Sequence, residues 1–354
     1  MTISPSDLPN LYLKGGLPVN PHTGRIHGTF KHDPRTLRLS MAAPSLHQIP
    51  RGSTDLQKLV RSWFVTPAGK IFLARDFSGI EAVLVGFFAK AERYIRLSKI
   101  DIHSFFTAYT LYELEKKITF ADLPQESWPD DQLSGALKEI KKNFKPTRET
   151  NKKLTHGRNY KETAPMAQVI LLNELGVLLP IGQINRVMKF YDELFPEIPR
   201  WHLTLASEVG GAPLKAEHQG WGYKARNCFI QNPFGAADRF YDVVKWEKTP
   251  MGWEWDFGED AKALVAWLPQ STARFIKTTA AQRVWNKHPE FAKYFRLFIH
   301  DEIFCEVPEG EADALDAVLK FEMEQEIKQM ALPDGRLLSI DSEGKRGRVW
   351  ADMK

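Results

Sequence analysis

The chain has 354 residues, 43% hydrophobic and 26% charged, with a formal net charge of +4. That is ordinary globular composition, enough for a buried core and more than one lobe, with too little excess charge for the total to signal a polyanion partner. Its two cysteines exclude a disulfide framework and a Cys-based zinc site, the opening MTISPSDLPNLYL is no secretion signal, and no apolar run approaches the roughly 20 residues that span a bilayer, so the expectation is a cytoplasmic protein with no membrane partner.

Residues 1–50 are rich in Pro, Gly and His and read as irregular, with short strand-like pieces such as Arg25-Ile-His-Gly-Thr-Phe30. Lys70-Ile-Phe-Leu-Ala-Arg-Asp76 predicts a buried strand, Ser78-Gly79 breaks it, and Ile80, Val83, Leu84 and Phe87 recur at helical spacing. From about Arg93 to Gly235 the pattern is mostly helical, interrupted by a polar loop over 121–131; Pro146-Thr147 opens a new helix with Thr147 as its N-cap. After Asn232-Pro-Phe-Gly235 the chain returns to strand-like segments, among them Arg296-Leu-Phe-Ile299 and Ile303-Phe-Cys305, a hairpin with His300, Asp301 and Glu302 at its tip. The expected organisation is α+β: a first part over 1–92, a helical block over 93–234 that grows out of it, and a second part over 235–354.

Two constellations carry chemistry. Asp76 ends one predicted strand and Asp301 tips the hairpin; if these strands are neighbours in one sheet, the carboxylates converge in a way that suits a hard divalent cation, while each alone also reads as a solvated turn acid. Arg148, Lys152, His156 and Tyr160 fall four residues apart along one helix face. Cations followed by flat rings suit a triphosphate with a base beyond it; a solvated basic face is the other reading.

Asp76-Phe-Ser-Gly-Ile-Glu81, the R-x3-K-x7-Y spacing of Arg148, Lys152 and Tyr160, and His300-Asp301-Glu302 together resemble the signature motifs of family A DNA polymerases, the DNA polymerase I-like family. Thr23-Gly-Arg-Ile-His27, Arg38-Leu-Ser40 with Pro44-Ser-Leu-His-Gln-Ile-Pro50, Asp101-Ile-His103 and Gln270-Ser-Thr-Ala273 extend the resemblance in the family's order over about 21–350. It implies an antiparallel palm sheet with helices, helical fingers and no complete thumb, acting as a template-directed DNA polymerase on primer-template DNA and dNTPs with two Mg²⁺ ions, or Mn²⁺ in their place. By the same resemblance Asp76, Asp301 and the Phe77 carbonyl hold the metals, and Glu302 is an auxiliary carboxylate. Glu81 is the gate that rejects a ribose 2′-OH. Arg148, Lys152 and His103 grip the triphosphate, with Lys152 a proton donor to pyrophosphate, and His156 and Tyr160 frame the base. Arg38, Gln270 and His300 contact DNA.

The chain departs from the family pattern at His156 (an aromatic hydrocarbon or phenol ring in the family), Lys161 (a glycine) and Gly79 (a glutamine), and it carries an apparent fingers insertion around 115–145. Only some twenty residues precede Thr23, so the expectation is a split polymerase without proofreading, its thumb, with or without an exonuclease, supplied by a separate polypeptide; Asp341-Ser-Glu343 reads as solvated acids. The alternatives are a single-subunit RNA polymerase, a non-catalytic DNA-binding subunit that keeps the fold as a scaffold, and a metal nuclease.

Overall fold

The segment at 70–77 has the apolar and aromatic content of a buried strand, and the main sheet is built on it. The computed structural model describes residues 19–31, 35, 37–49, 55–210, 212–213, 223–224, 228–250 and 252–353. The opening segment 1–18, and Pro50 at the end of the Pro44–Pro50 motif, lie outside the described residues. In chain order the principal elements are β1 (Thr29–Lys31), β2 (Ser40–Ala42), α1 (Asp55–Ser62), β3 (Lys70–Phe77), α2 (Ile80–Phe88), α3 (Glu92–Ile100), α4 (Ile102–Glu113), α5 (Asp130–Asn143), α6 (Lys145–Asn159), α7 (Ala164–Leu175), α8 (Ile181–Leu194), α9 (Glu197–Gly210), α10 (Ala261–Lys287), β4 (Phe295–Ile299), β5 (Glu302–Pro308), α11 (Ala312–Met323) and β6 (Ser342–Gly347). Short two-stranded ribbons fill much of the stretch between α9 and α10.

The fold is α+β and divides into two compact units. A sheet unit holds the described residues of Met1–Ile80, Gln270–Ala331 and Leu337–Lys354; a helical unit holds Glu81–Pro269 and Leu332–Arg336. One boundary falls inside α10 at Pro269, whose missing N–H removes a bond from the helix interior.

In the sheet unit four strands run in the order β4-β5-β3-β6, each pair antiparallel. Directly opposite residues share a face, so Phe72 with Glu306, Ala74 with Phe304, and Asp76 with Glu302 line one side. Phe72, Ala74 and Phe304 on that side pack into a core with Met41, Leu46, Ile49, Val60, Ile299 and Trp350. The other side carries Leu73, Cys305 and Arg75, all buried. Arg75 is satisfied there: it pairs with Asp316 of α11 at 2.8 Å and donates to the Ser342 carbonyl at 2.9 Å. Gly344 of β6 keeps this crossing open, since a Cβ there would meet Arg75 Nη2 at 2.8 Å and Asp316 Oδ1 at 2.9 Å. Burying an arginine in a sheet is tolerable only with such full hydrogen bonding.

In the helical unit α6 starts one residue before its proline, with Phe144 rather than Thr147 at the N-cap. Pro146 sits within the first turn, where its missing N–H would have had no partner anyway, so it opens the helix and does not break it. The region around 115–145 forms a turn capped by Thr119 and Asp122, then α5, over a small cluster of Ala108, Leu123 and Ile140 with Tyr109, Tyr112, Ile118 and Phe144 against it. Among the described residues no helix is long and apolar enough to cross a membrane.

Glu306 lies buried at the far end of β5, bonded to Arg25 through both oxygens at 2.8 Å and to Lys70 at 3.1 Å. The Arg25 hydrogen bonds, with Lys70 and Arg296 adding to them, overcome burial and hold its carboxyl at about 2, below the ordinary 4.5. A depressed folded-state pKa contributes stability that is complete above the ordinary value and lost as pH falls toward the folded one. Thermal unfolding of the wild type should therefore weaken between pH 4.5 and about 2, whereas Glu306→Gln, less stable at neutral pH by about 1–3 kcal/mol, should lack that share of the acid dependence.

Candidate active site

The acids of the sheet unit sit where the strand pairing ends. Asp76 is the penultimate residue of β3; Glu302, the first residue of β5, stands opposite it on one side and Glu343 of β6 on the other. The two predicted strands are thus neighbours in one sheet. Asp301 precedes the ladder, in the turn between β4 and β5 that begins at His300, whose φ of 49° lies in the left-handed region. That backbone is costly for a residue with a Cβ and is retained only where surrounding bonds impose it. Glu302 is buried, Asp76 and Asp301 are half-buried, and His300, Asp341 and Glu343 are exposed. Phe77 closes β3 opposite Ser342, and Ser78 donates its N–H to the Asp341 carbonyl at 2.8 Å.

Beneath this edge lies Lys277 of α10, only 3% exposed, which donates to the His300 carbonyl. Burial lowers its pKa to about 8; Asp301 and Asp76 oppose that shift, while Arg38 and Arg274 add to it. One ammonium thus senses both aspartates. Arg38 is half-buried in this neighbourhood, and Gln270 is half-buried on α10 directly after Pro269. Sequence reading missed Lys277 because a lysine between Ile276 and Thr278 on a long helix carries no signal of what its tip reaches.

The helical unit brings together the other predicted residues, around α6. Asp101 caps α4 by accepting from Ser104 N at 3.0 Å and Ser104 Oγ at 2.7 Å. The same carboxylate takes Arg148 Nη2 at 3.0 Å through both oxygens, and Arg148 Nε donates to Ser104 Oγ at 2.8 Å. Burial alone would raise the Asp101 pKa, but Arg148 and the Ser104 bonds outweigh it and hold it low. Arg148 is therefore a buried, fully engaged cation that reaches an outside anion only by exchanging partners. Lys152, one turn on, is exposed. His103 bonds Thr155 Oγ1 through Nδ1 at 2.9 Å; burial depresses its pKa to about 3, Asp101 countering and Lys152 and Arg148 reinforcing, so the ring is neutral at pH 7.

At the other end of α6, Tyr160 is buried and its hydroxyl donates to Glu81 Oε2 at 2.8 Å. His156, 55% exposed, places Nε2 3.7 Å from the same oxygen and meets the Tyr160 ring edge-on at 5.2 Å. The helix terminates with Glu162 N donating to the Gly157 carbonyl at 2.9 Å and Lys161 in the left-handed region at φ 59°. Lys161 thus keeps the conformation that glycine would adopt easily, its ammonium stacked on the Phe257 ring at 3.0 Å. Asn159, directly before Tyr160, was also invisible to sequence reading: its side chain is locked by Tyr94 and Tyr191, and His202 Nε2 contacts its backbone carbonyl at 2.9 Å.

The sequence profile of DNA polymerase family A matches residues 6–121. The DNA polymerase I of Caldicellulosiruptor bescii is 37% identical over 95% of this chain and 33% of its own length, and the thermostable DNA polymerase I of Thermus filiformis is 24% identical over 95% of the chain and 34% of its own. The chain is similar to DNA polymerase family A. It spans about a third of the length of these curated relatives. A solved structure, the POL domain of Pol1 from M. smegmatis in complex with DNA primer-template and dNTP, aligns with 94% of this chain and 49% of that one at a TM-score of 0.62 and 18% identity, a likeness of fold.

Among the described residues no three His, Cys, Asp or Glu side chains converge as a ready-made metal cage. The acidic edge instead offers hard oxygen donors suited to an ion that completes its shell with water and substrate phosphate. Asp101→Asn should leave Arg148 buried against a neutral amide; unfolding of the helical unit followed by denaturant titration should then need about 2–4 kcal/mol less, while Lys152→Ala changes stability by under about 0.5 kcal/mol.

Proposed function

We propose that the chain is the catalytic core of a template-directed DNA polymerase that adds dNTPs to a primer 3′-OH by two-metal nucleotidyl transfer. The observation that carries this reading is the strand register that brings Asp76 opposite Glu302 and puts Asp301 in the adjoining turn, within a family A fold. Asp76 and Asp301, with the Phe77 carbonyl, would hold two Mg²⁺ ions, for which two carboxylates plus substrate phosphates are a fitting donor set. The chemistry supplied by bound Mg²⁺ is a lowered pKa of the primer hydroxyl and neutralisation of charge on the departing pyrophosphate.

The remaining roles belong to the chain's own side chains. Glu302, buried opposite Asp76, stands as the auxiliary carboxylate. Lys152 is an exposed cation one turn beyond Arg148 on α6 and binds the triphosphate, donating a proton to pyrophosphate as it leaves. Arg148 joins it by trading Asp101 for a phosphate oxygen, and neutral His103 offers a hydrogen bond to the same group. Glu81, fixed by Tyr160, occupies the room a ribose 2′-OH needs; His156 and Tyr160 present their rings to the base. Arg38, Gln270 and His300 contact the DNA, the first two at the minor-groove edge where acceptors are shared among base pairs.

Primer extension decides among the readings. Wild type should extend a primer with dNTPs only when Mg²⁺ or Mn²⁺ is present, and Asp301→Ala should fall to background. Equal extension by both proteins, or none by either, removes the catalytic reading and favours a DNA-binding scaffold; preference for NTPs over dNTPs favours an RNA polymerase. Glu81→Ala should raise ribonucleotide incorporation relative to deoxynucleotide by about 10- to 100-fold, read as the ratio of kcat/KM values on one template.

A further inference from the structure

Lys277 is a buried cation of the sheet unit, on a stretch of α10 where Ala273, Ile276, Ala280 and Val284 are buried as well. A buried ammonium needs both hydrogen-bond acceptors and a counter-charge. Its acceptor is the carbonyl of His300, the left-handed turn residue directly before Asp301. Its ring neighbour is Phe298, 5.8 Å away. Its counter-charges are Asp301 and Asp76, while Arg38 and Arg274 repel it and His47 lies close enough to feel both it and His300. The lysine is thus tied to the turn's backbone and lies within electrostatic range of the two carboxylates that the turn and β3 present.

We infer that Lys277 is a positioning residue for the acidic pair: it tethers the turn that presents Asp301 and supplies the resident positive charge that balances Asp301 and Asp76 when no metal is bound. A divalent ion entering between the acids meets this fixed cation, so Lys277 weakens metal binding by the bare protein while keeping the pair assembled. The inference rests on the reading of Asp76 and Asp301 as metal ligands, and it treats the lysine as a structural charge that touches neither nucleotide nor primer.

Two substitutions in the full chain separate tether from charge. Lys277→Gln keeps an N–H donor for the His300 carbonyl and removes the charge; Lys277→Arg keeps the charge. Mn²⁺ binding to the protein without nucleotide or DNA is followed by electron paramagnetic resonance of the free ion, with circular dichroism reporting the fold. Lys277→Gln should bind Mn²⁺ about tenfold or more tightly than wild type, as expected when a like charge leaves the neighbourhood of a divalent ion, and Lys277→Arg should stay within about twofold. Adding Asp301→Ala to Lys277→Gln should abolish the gain. Mn²⁺ binding by Lys277→Gln that is unchanged or weaker, or an equal gain in Lys277→Arg, overturns the inference; if the glutamine variant does not fold, Lys277→Met takes its place in the same measurement. Tighter Mn²⁺ binding in a protein whose wild type extends no primer upholds Lys277 and counts against polymerisation, whereas an active wild type with no change in Mn²⁺ affinity does the reverse.

Discussion

The register between β3 and β5 is the constraint on which the sheet unit depends. Side chains alternate faces along a strand, so a slip of one residue would turn Asp76 and Glu302 away from each other and drive Phe72 and Phe304 out of the core together. The register is held at both ends of the ladder and from both faces. Glu306, wrapped by Arg25 and Lys70, anchors one end; the His300 turn, tied to Lys277, closes the other. On the opposite face Arg75 and Asp316 clamp β3 to α11 through the gap left at Gly344. Burial of a continuous apolar ribbon thus fixes the geometry of acids that are not themselves part of the core.

The helical unit uses a different device for a similar purpose. Asp101 is at once the N-cap of α4 and the partner of Arg148 on α6, so one carboxylate sets the start of one helix and the spacing to another. The opposite end of α6 is pinned by the Tyr94, Asn159 and Tyr191 hydrogen bonds and by the left-handed turn at Lys161. Between these fixed points Lys152 and His156 are the exposed groups. The four-residue strip of sequence is therefore not chemically uniform: its first cation is structural in this state, its second is open, and its phenol is engaged with Glu81.

What was legible came from patterns that backbone periodicity enforces. A run such as Lys70-Ile-Phe-Leu-Ala-Arg-Asp76 has to be a buried strand, the hairpin around His300 follows from two short apolar runs about a polar tip, and the spacing from Arg148 to Tyr160 has to fall on one helix face. The helix opened at Pro146 was legible too, though its cap was not, because a proline fits any position of the first turn and Thr147 only resembles a cap. Arg75 in mid-strand gave no hint of its partner, since Asp316 lies far along the chain.

The chain by itself thus determined its resemblance to a family, its α+β class and which residues stand at strand ends and on one helix face, because local periodicity and motif order are properties of neighbouring residues. Only the tertiary structure decided that Asp76 pairs with Glu302 and not with Asp301, that Arg148 is spoken for by Asp101, and that Lys277 lies under the acidic turn. Those are contacts between segments tens to hundreds of residues apart, and they are set by strand register and by the need of each buried charge to find a partner, neither of which any local stretch of sequence encodes.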